Sequence, residues 1–271
     1  MKRWRVWWLI AMLTIVSWGI FNLFSEKELV LTDVENIVPT PTLIEQKVKI
    51  AVMADVHNDS DQLKIMLDKA KRDGVEMVIV AGDLTNNGKI SELTKIKSTL
   101  DNSALKYAVV PGNHEYFLKD FISIFGKNYQ SIKIDDVKLI LMDNSYWQGM
   151  DDLQKKWIEM EVLECRIMIC VAIMHKPLNN SFSTHVMGEN NKKAASEASW
   201  LRELLIVSGV KQIEAGHLHY SSSYELEGIR TDIVGAISRD RNNQSPRYTE
   251  LMIGRNSIER KVVEETNDIG N

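Results

Sequence analysis

The sequence predicts an α/β layered domain that follows a single apolar N-terminal segment. From Val48 onward, short apolar runs alternate with amphipathic segments, which is the pattern of helices packed on a sheet. The later part of the chain is rich in short strand-like runs, so we expect it to build a second sheet. Ahead of this domain, residues 6–24 contain no charge.

The composition is that of one globular domain with a short appendage. The 271 residues are 44% apolar and 26% charged, which is enough apolar material for one sizeable core. The net charge of -4 supplies no broad cationic surface. Bulk nucleic-acid binding is therefore disfavoured, although a nucleotide substrate is not. The sequence does not determine the oligomeric state.

Residues 6–24 predict a transmembrane signal anchor. At ~1.5 Å of rise per residue, a helix of this length just reaches across a hydrocarbon core of ~30 Å. Residues 1–5 contain three basic side chains. The positive-inside bias places them in the cytoplasm and everything after Phe24 across the membrane. The predicted localisation is the cell membrane, single-pass, with an extracytoplasmic domain.

Two alternatives to an anchor stay open. Residues 6–16 have the length of a signal-peptide apolar region, and residues 17–19 offer a small-x-small cleavage site, so the protein would then be secreted. A helix buried in a soluble core is the other alternative. Residues 25–46 contain prolines and no clear period, and we interpret them as a linker to a domain at 47–271.

The elements of this domain follow from its apolar periods. The helix that begins near Asp61 keeps helical apolar spacing until Gly74 stops it, and the run before His175 suits a strand covered on both faces. Further helices are predicted at 91–100, 153–163 and 196–207, and strands at 48–53, 75–80, 106–110, 132–142 as a hairpin, 166–174, 210–215, 224–226, 230–234, 248–253 and 258–263.

The chain has two cysteines. Cys165 borders the apolar run 166–174 and Cys170 lies within it, where buried free thiols are common. We therefore interpret both as structural thiols, with a disulfide between them as the alternative.

Five polar clusters each follow an apolar strand, which is where open α/β sheets bind their ligands. Aspartate, asparagine and histidine supply oxygen and nitrogen donors that suit Mn, Fe, Zn or Co. Because residues i and i+2 of an extended backbone point the same way, Asp-x-His and His-x-His can each offer two donors to one pocket. The clusters are Asp55-Val-His57, Gly82-Asp83-Leu-Thr-Asn86-Asn-Gly88, Gly112-Asn113-His114-Glu115, His175 and Gly216-His217-Leu-His219.

In this order, the clusters resemble the calcineurin-like metallophosphoesterase superfamily, whose blocks run D-x-H, G-D-x-x-D/N, G-N-H-D/E, H and G-H-x-H. The resemblance covers roughly 48–234 and implies a four-layer sandwich, in which two β-sheets pack face to face with helices outside. It also implies two divalent metal ions. Asp55, His57 and His219 would bind one ion, Asn113, His175 and His217 the other, and Asp83 would bridge both.

The resemblance further implies a metal-dependent phosphoric ester hydrolase that acts on a small phosphoester. Two cations about 4 Å apart would share a bridging hydroxide that attacks phosphorus. His114 would be the nearby acid for the departing alkoxide. Asn86 stands where protein-phosphatase-like members have an aspartate that pairs with this histidine. A neutral amide cannot stabilise imidazolium as a carboxylate does, which favours phosphodiesters.

Two other functions stay open. One is a phosphomonoesterase on the same site, and the other is a catalytically idle surface-binding module. Glu115 follows the acid histidine and either orients it or its loop, or caps the surface.

The residues that bind the substrate are not predicted. His185 lies in the polar stretch 178–193, which could act as a lid, and we interpret this histidine as a solvated loop residue. Arg239, Arg241 and Arg247 could recognise a phosphate, but we interpret them as part of a solvated turn.

Overall fold

The computed structural model describes residues 47–242 and 244–265. The described residues belong to the second of two units, which divide between Ile44 and Glu45. The predicted segments 1–5, 6–24 and 25–46 lie outside the described residues, so the predictions for them stay predictions. Within the described part of the chain, no helix is long and apolar enough to cross a bilayer.

The helices of this part are α1 (Ser60–Arg72), α2 (Ile90–Asn102), α3 (Leu118–Phe125), α4 (Asp152–Glu161) and α5 (Lys192–Ser208), and a 3-10 helix at Val162–Arg166 continues α4. Helix α5 begins four residues before the predicted start. The reason is its N-cap, because the Asn191 side chain accepts the backbone N–H groups of Lys193 and Ala194. Helix α1 begins in the same way, with the Asp59 side chain accepting the N–H of Gln62.

The strands form two mixed sheets. They are β1 (Val48–Met53), β2 (Met77–Ala81), β3 (Lys106–Val110), β4 (Gln130–Ile134), β5 (Val137–Leu141), β6 (Ile169–Met174), β7 (Gln212–Ala215), β8 (Ser222–Leu226), β9 (Ile229–Ile233), β10 (Arg247–Ile253) and β11 (Ile258–Glu264). The first sheet has the order β11-β10-β1-β2-β3 and the second β4-β5-β6-β7-β9-β8. Strands β1, β2 and β3 are parallel, as are β5, β6, β7 and β9.

The later strands do not all build the second sheet, and in this respect the prediction is wrong. Strands β8 and β9 join that sheet, but β10 and β11 return to the first one, where Leu251 of β10 lies opposite Ile50 of β1. The second sheet instead begins earlier, with the β4–β5 hairpin. An apolar run indicates that a segment is extended, but not which sheet edge is free to pair with it.

The two sheets pack face to face, and helices cover their outer faces. The core between the sheets joins Ile50 and Val52 of the first sheet to Leu139 and Val171 of the second. A separate core lies between the first sheet and α1 and α2, and another lies between the second sheet and α4 and α5. The predicted arrangement of two packed sheets flanked by helices is therefore confirmed for the domain.

The prediction of two free thiols is wrong, because Cys165 and Cys170 form a disulfide with their Cα atoms 5.4 Å apart. The strand predicted at 166–174 leaves no turn between the two cysteines. In the structure, the 3-10 helix holds Cys165 and turns the chain, and β6 begins only at Ile169. Both cysteines then lie in the core outside the second sheet.

A buried carboxyl on β7 makes the stability of the fold depend on pH. Burial, and then the negative charge of Asp232, raise the pKa of Glu214 well above its ordinary 4.5. The folded protein thus keeps a proton that the unfolded chain releases. Between the two pKa values the free energy of unfolding therefore falls as pH rises, by up to about 1.4 kcal/mol per pH unit.

We expect the substitution Glu214→Gln to remove this loss of stability. Glutamine carries no charge and keeps an oxygen for the N–H of Gln212, which lies 2.6 Å from the carboxylate. Thermal unfolding measured from about pH 5 to about pH 8 should show the wild type losing stability relative to the variant. If the stability of the two proteins changed with pH in the same way, the raised pKa of Glu214 would be contradicted.

Candidate metal centre

The five polar clusters meet at the carboxyl ends of the parallel strands. Strands β1, β2 and β3 end beside them in the first sheet, and β6 and β7 end beside them in the second. The two sheets are tied together here, because Ala54 forms a β-bridge with Ala236. Within the first sheet, the N–H of Asp55 donates to the carbonyl of Gly82. Side chains from distant parts of the chain therefore converge at one edge.

One donor group consists of Asp55, His57, Asp83 and His219, whose candidate ligand atoms all lie within 4.8 Å of one another. The Nε2 atoms of His57 and His219 are 3.1 Å apart. His219 Nε2 lies 3.4 Å from Asp55 Oδ1, and His57 Nε2 lies 3.7 Å from Asp83 Oδ2. The first three residues are buried, and His219 borders the solvent.

A second donor group consists of Asp83, His175 and His217, whose candidate ligand atoms also lie within 4.8 Å of one another. His175 Nε2 is 3.2 Å from Asp83 Oδ2 and 3.1 Å from Asn113 Oδ1, so the amide oxygen of Asn113 adjoins this group. The two groups share the carboxylate of Asp83. The structure thus brings together all seven residues predicted to bind metal.

Five of the seven donor residues reach these positions through a left-handed backbone. Left-handed φ angles are rare for residues other than glycine and cost on the order of 1–3 kcal/mol each, so they cluster at functional sites. We expected that an extended backbone would direct the two donors of Asp-x-His, and those of His-x-His, into one pocket. That expectation is therefore wrong. Asp55 and His57 do share one group, but His217 and His219 belong to different groups. The angles are 55° at Asp55, 46° at His57, 51° at Asp83, 72° at His217 and 53° at His219.

Two glycines allow the donor loops to pack this closely. A β-carbon added at Gly82 would lie 2.5 Å from His175 Nδ1, and one added at Gly112 would collide with Asp83 Oδ1. Any side chain at these positions would displace a donor, which explains the glycine in each motif.

The ionisation of the site is governed by burial and by the charge of Asp83. Burial opposes the charge on Asp83, but the charge and hydrogen bond of His175 hold the pKa of Asp83 below its usual range. Burial acts to lower the pKa of His175, but Asp83 outweighs it and raises that pKa to about 9. Burial lowers the pKa of His57 to about 4. Burial and then the charge of His175 lower the pKa of His217 to about 2.

These residues fit divalent cations. Carboxylate oxygens, an amide oxygen and imidazole nitrogens converge on two small regions. A single proton could bridge only one pair of these atoms, whereas a cation can bind several of them at once. His57 and His217 are neutral over the physiological range and so offer lone pairs to a cation. The donor set contains nitrogen and oxygen but no thiolate, which suits Mn, Fe, Zn or Co without selecting among them.

His114 lies at the rim of both donor groups. Its Nε2 is 4.0 Å from Asp83 Oδ2, and its backbone N–H donates to Asp83 Oδ1 over 2.9 Å. Its Nδ1 lies 2.9 Å from the backbone oxygen of Asn86, and a carbonyl only accepts, so Nδ1 carries the hydrogen. The amide of Asn86 instead donates to the carbonyl of His57. The Asn86 group that contacts the imidazole is thus its backbone carbonyl and not its side-chain amide, from which the preference for phosphodiesters was inferred.

Glu115 lies inside the molecule and is not a surface cap. Its carboxylate accepts the N–H and the hydroxyl of Thr85 and the N–H of Gly112. Burial and then the charge of Asp83 raise the pKa of Glu115 to about 7. The side chain therefore holds together the loops that follow β2 and β3, which carry Asp83 and His114.

The three arginines of the predicted turn have different partners. Arg239 pairs with Asp59, and Arg247 pairs with Glu264. Arg241 Nη1 lies 3.4 Å from His114 Nε2, which places this side chain at the site. The signal for it in the sequence is its position, because Arg241 follows β9, whose carboxyl end lies at the same edge as the donor groups.

A cavity of about 750 Å³ adjoins both donor groups. His217 of one group and His219 of the other contribute to its wall, together with Arg241. Two exposed aromatic side chains, Phe182 and Tyr220, also line it.

The predicted polar stretch 178–193 contributes part of this wall. His185 lines the cavity and is exposed, with its Nδ1 3.1 Å from Glu189 Oε2. The interpretation of His185 as a loop residue accessible to solvent agrees with this placement.

The fold and the site define an α/β protein with paired donor groups suited to two divalent cations. The model of the calcineurin-like phosphoesterase family matches residues 48–221, and the chain belongs to this family.

Several proteins are similar to this chain. A protein of Fibrobacter succinogenes named "probable cyclic nucleotide phosphodiesterase" is 23% identical over 248 residues, covering 81% of this chain and 95% of that protein. A "cAMP/cGMP dual specificity phosphodiesterase" of Mycobacterium tuberculosis is 24% identical over 193 residues, covering 65% of this chain and 59% of that protein. The structure of a dimetal phosphatase from Danio rerio has a TM-score of 0.60 at 13% identity, covering 82% of this chain and all of that one. At this identity the structural likeness shows the fold alone.

Proposed function

We propose that this protein hydrolyses phosphodiesters with two divalent cations. One observation carries the proposal: two donor groups share the carboxylate of Asp83, with His114 at their common rim. A carboxylate shared by two donor groups would keep two ions close together, as two-metal hydrolysis requires.

Each donor group would hold one of the two cations. When bound, the ions lower the pKa of water and stabilise the charge that develops on the phosphoryl oxygens. Asp55, His57 and His219 would hold one ion, Asn113, His175 and His217 the other, and Asp83 would contact both.

His114 supplies the proton in this proposal. The Asn86 carbonyl fixes its Nδ1–H, so Nε2 is the atom that faces the reacting group. Nε2 would hold the proton that faces the leaving group of a bound phosphoester. That proton then passes to the departing alkoxide, which would otherwise leave as a strong base.

Two observations favour diesters, and cyclic nucleotides among them. The similar proteins of Fibrobacter succinogenes and Mycobacterium tuberculosis bear the names of cyclic nucleotide phosphodiesterases. The cavity of about 750 Å³ is large enough for an organic ester group, and the rings of Phe182 and Tyr220 offer faces for a planar base.

The test is hydrolysis of bis-p-nitrophenyl phosphate, p-nitrophenyl phosphate and 3′,5′-cyclic AMP by the full chain in detergent with added manganese. We expect faster turnover of the diesters than of the monoester, and none after chelation of the metal. A faster monoester rate would instead make the protein a phosphomonoesterase. No turnover of any substrate with metal bound would make it a binding module.

We also propose that residues 6–24 anchor the protein in the cell membrane and that the catalytic domain lies outside the cytoplasm. The disulfide between Cys165 and Cys170 supports this location, since disulfides persist in oxidising compartments. Protease added to intact spheroplasts should digest the domain and leave a membrane-bound N-terminal fragment. Complete protection of the domain would contradict the proposed location, and a soluble mature chain that begins after residue 19 would favour secretion.

A further inference from the structure

We propose that Arg241 binds a phosphoryl oxygen of the substrate and that the ion pair between Arg239 and Asp59 positions it. The inference rests on the proposed function, because it assigns a residue to substrate binding at the same site. It concerns a side chain outside both donor groups, on the segment that follows β9.

The guanidinium of Arg241 lies directly beside the ring of His114, at the rim of the two donor groups. Arg241 Nη1 lies 3.4 Å from His114 Nε2, at the long end of hydrogen-bonding distance. Arginine has donors only, so its guanidinium can donate to an oxyanion bound at this position. An oxyanion lying beside both nitrogens, at hydrogen-bonding distance from each, would accept from Arg241 while it adjoins the ring of His114.

In the described part of the chain, the charge of Arg241 is not paired with a carboxylate. Among the described residues, no acidic side chain forms an ion pair with it, whereas Arg239 pairs with Asp59 and Arg247 with Glu264. A guanidinium that lacks a carboxylate at the mouth of a site is suited to bind a phosphate oxygen. Arg241 also lines the cavity, so a phosphodiester beside His114 would extend its ester group past this side chain.

The segment that carries Arg241 is fixed to the loop that carries Asp55. The backbone N–H of Ser238 donates to the carbonyl of Asp55 over 3.0 Å. Arg239 then binds the Asp59 carboxylate with both arms of its guanidinium, Nε to Oδ2 over 3.0 Å and Nη2 to Oδ1 over 2.9 Å. Since Asp59 is also the N-cap of α1, Arg239 is bound to a rigid element two residues before Arg241.

The test compares Arg241→Gln and Arg241→Lys with wild type and with Arg255→Gln. Arg255 is an exposed arginine between β10 and β11 that pairs with Asp136, so it matches Arg241 in type but lies away from the site. One measurement is the affinity of the manganese-loaded protein for inorganic phosphate, by calorimetry. The other is kcat/KM for bis-p-nitrophenyl phosphate.

We expect Arg241→Gln to weaken phosphate binding and to lower kcat/KM, each on the order of 10- to 100-fold, as for the loss of one hydrogen bond to a charged group. Arg241→Lys should recover part of both losses, and Arg255→Gln should change neither. Manganese affinity should be the same in all four proteins. Phosphate affinity within twofold of wild type in Arg241→Gln would overturn the inference.

The positioning role has its own test in a double-mutant cycle. Arg239→Gln breaks the ion pair but leaves the bond between Asp59 and Gln62 that caps α1. It should weaken phosphate binding in the wild-type background and have no further effect in Arg241→Gln. Additive effects of the two substitutions would overturn the positioning role.

The inference and the proposed function can fail separately. If the wild type hydrolyses no phosphoester but Arg241→Gln still weakens phosphate binding, the proposed function is wrong and the assignment of Arg241 stands. If the wild type hydrolyses diesters and Arg241→Gln changes neither measurement, the function stands and the assignment is wrong.

Discussion

Replacing Asp83 by asparagine should lower kcat/KM for bis-p-nitrophenyl phosphate by about 10³-fold or more, because metal ions contribute several kcal/mol of transition-state stabilisation. Asp83 is the one residue common to both donor groups, and it is almost completely buried. An amide of the same shape removes the negative charge that both cations need. Calorimetry should therefore show weaker manganese binding together with the lost activity.

A matched control for this substitution is Asp143→Asn. Asp143 is another buried aspartate at the end of a strand, β5, and it belongs to neither donor group. Asparagine keeps an oxygen for the N–H and hydroxyl of Ser145, and the amide of Asn128 can turn to present its oxygen to the new NH₂ group. The control should keep near wild-type activity. If Asp83→Asn kept activity as well, a shared carboxylate would not be part of the mechanism.

Replacing His114 by glutamine should have the second large effect, and its size should depend on the leaving group. Cyclic AMP departs as an alkoxide that needs a proton, so we expect a loss of about 10²- to 10⁴-fold in kcat. p-Nitrophenolate is a stable anion and needs none. With bis-p-nitrophenyl phosphate the loss should therefore be about tenfold or less.

The control for His114→Gln is His185→Gln, which changes an exposed histidine in the wall of the same cavity. Any effect of this control should be equal for the two leaving groups. Equal losses for both substrates in His114→Gln would show that His114 binds the phosphate without delivering a proton.

The placement of the site could be predicted because it depends on strand ends, and strand ends are visible as apolar runs that stop at polar residues. Asp55 follows β1, Asp83 follows β2 and His175 follows β6, as the apolar runs indicated. In a sheet with parallel strands, their carboxyl ends lie at one edge, so residues far apart in the chain meet there. This relation depends only on strand direction.

Other features could not be predicted because they depend on non-local geometry. The left-handed backbone at His57 and His217 depends on the surrounding loops, since it is uncommon for any residue other than glycine. The disulfide at Cys165 depends on a 3-10 helix with no apolar period of its own. The closeness of Arg241 to His114 depends on how the chain returns after β9.

The most direct test of the central claim is a titration of the metal-free full chain with manganese, following turnover of bis-p-nitrophenyl phosphate and the number of ions bound in the same sample. Two donor groups that share Asp83 predict that activity rises as the second ion binds, and that it reaches its maximum at two ions per chain. Full activity with one ion bound, or no activity with two, would contradict the two-metal mechanism.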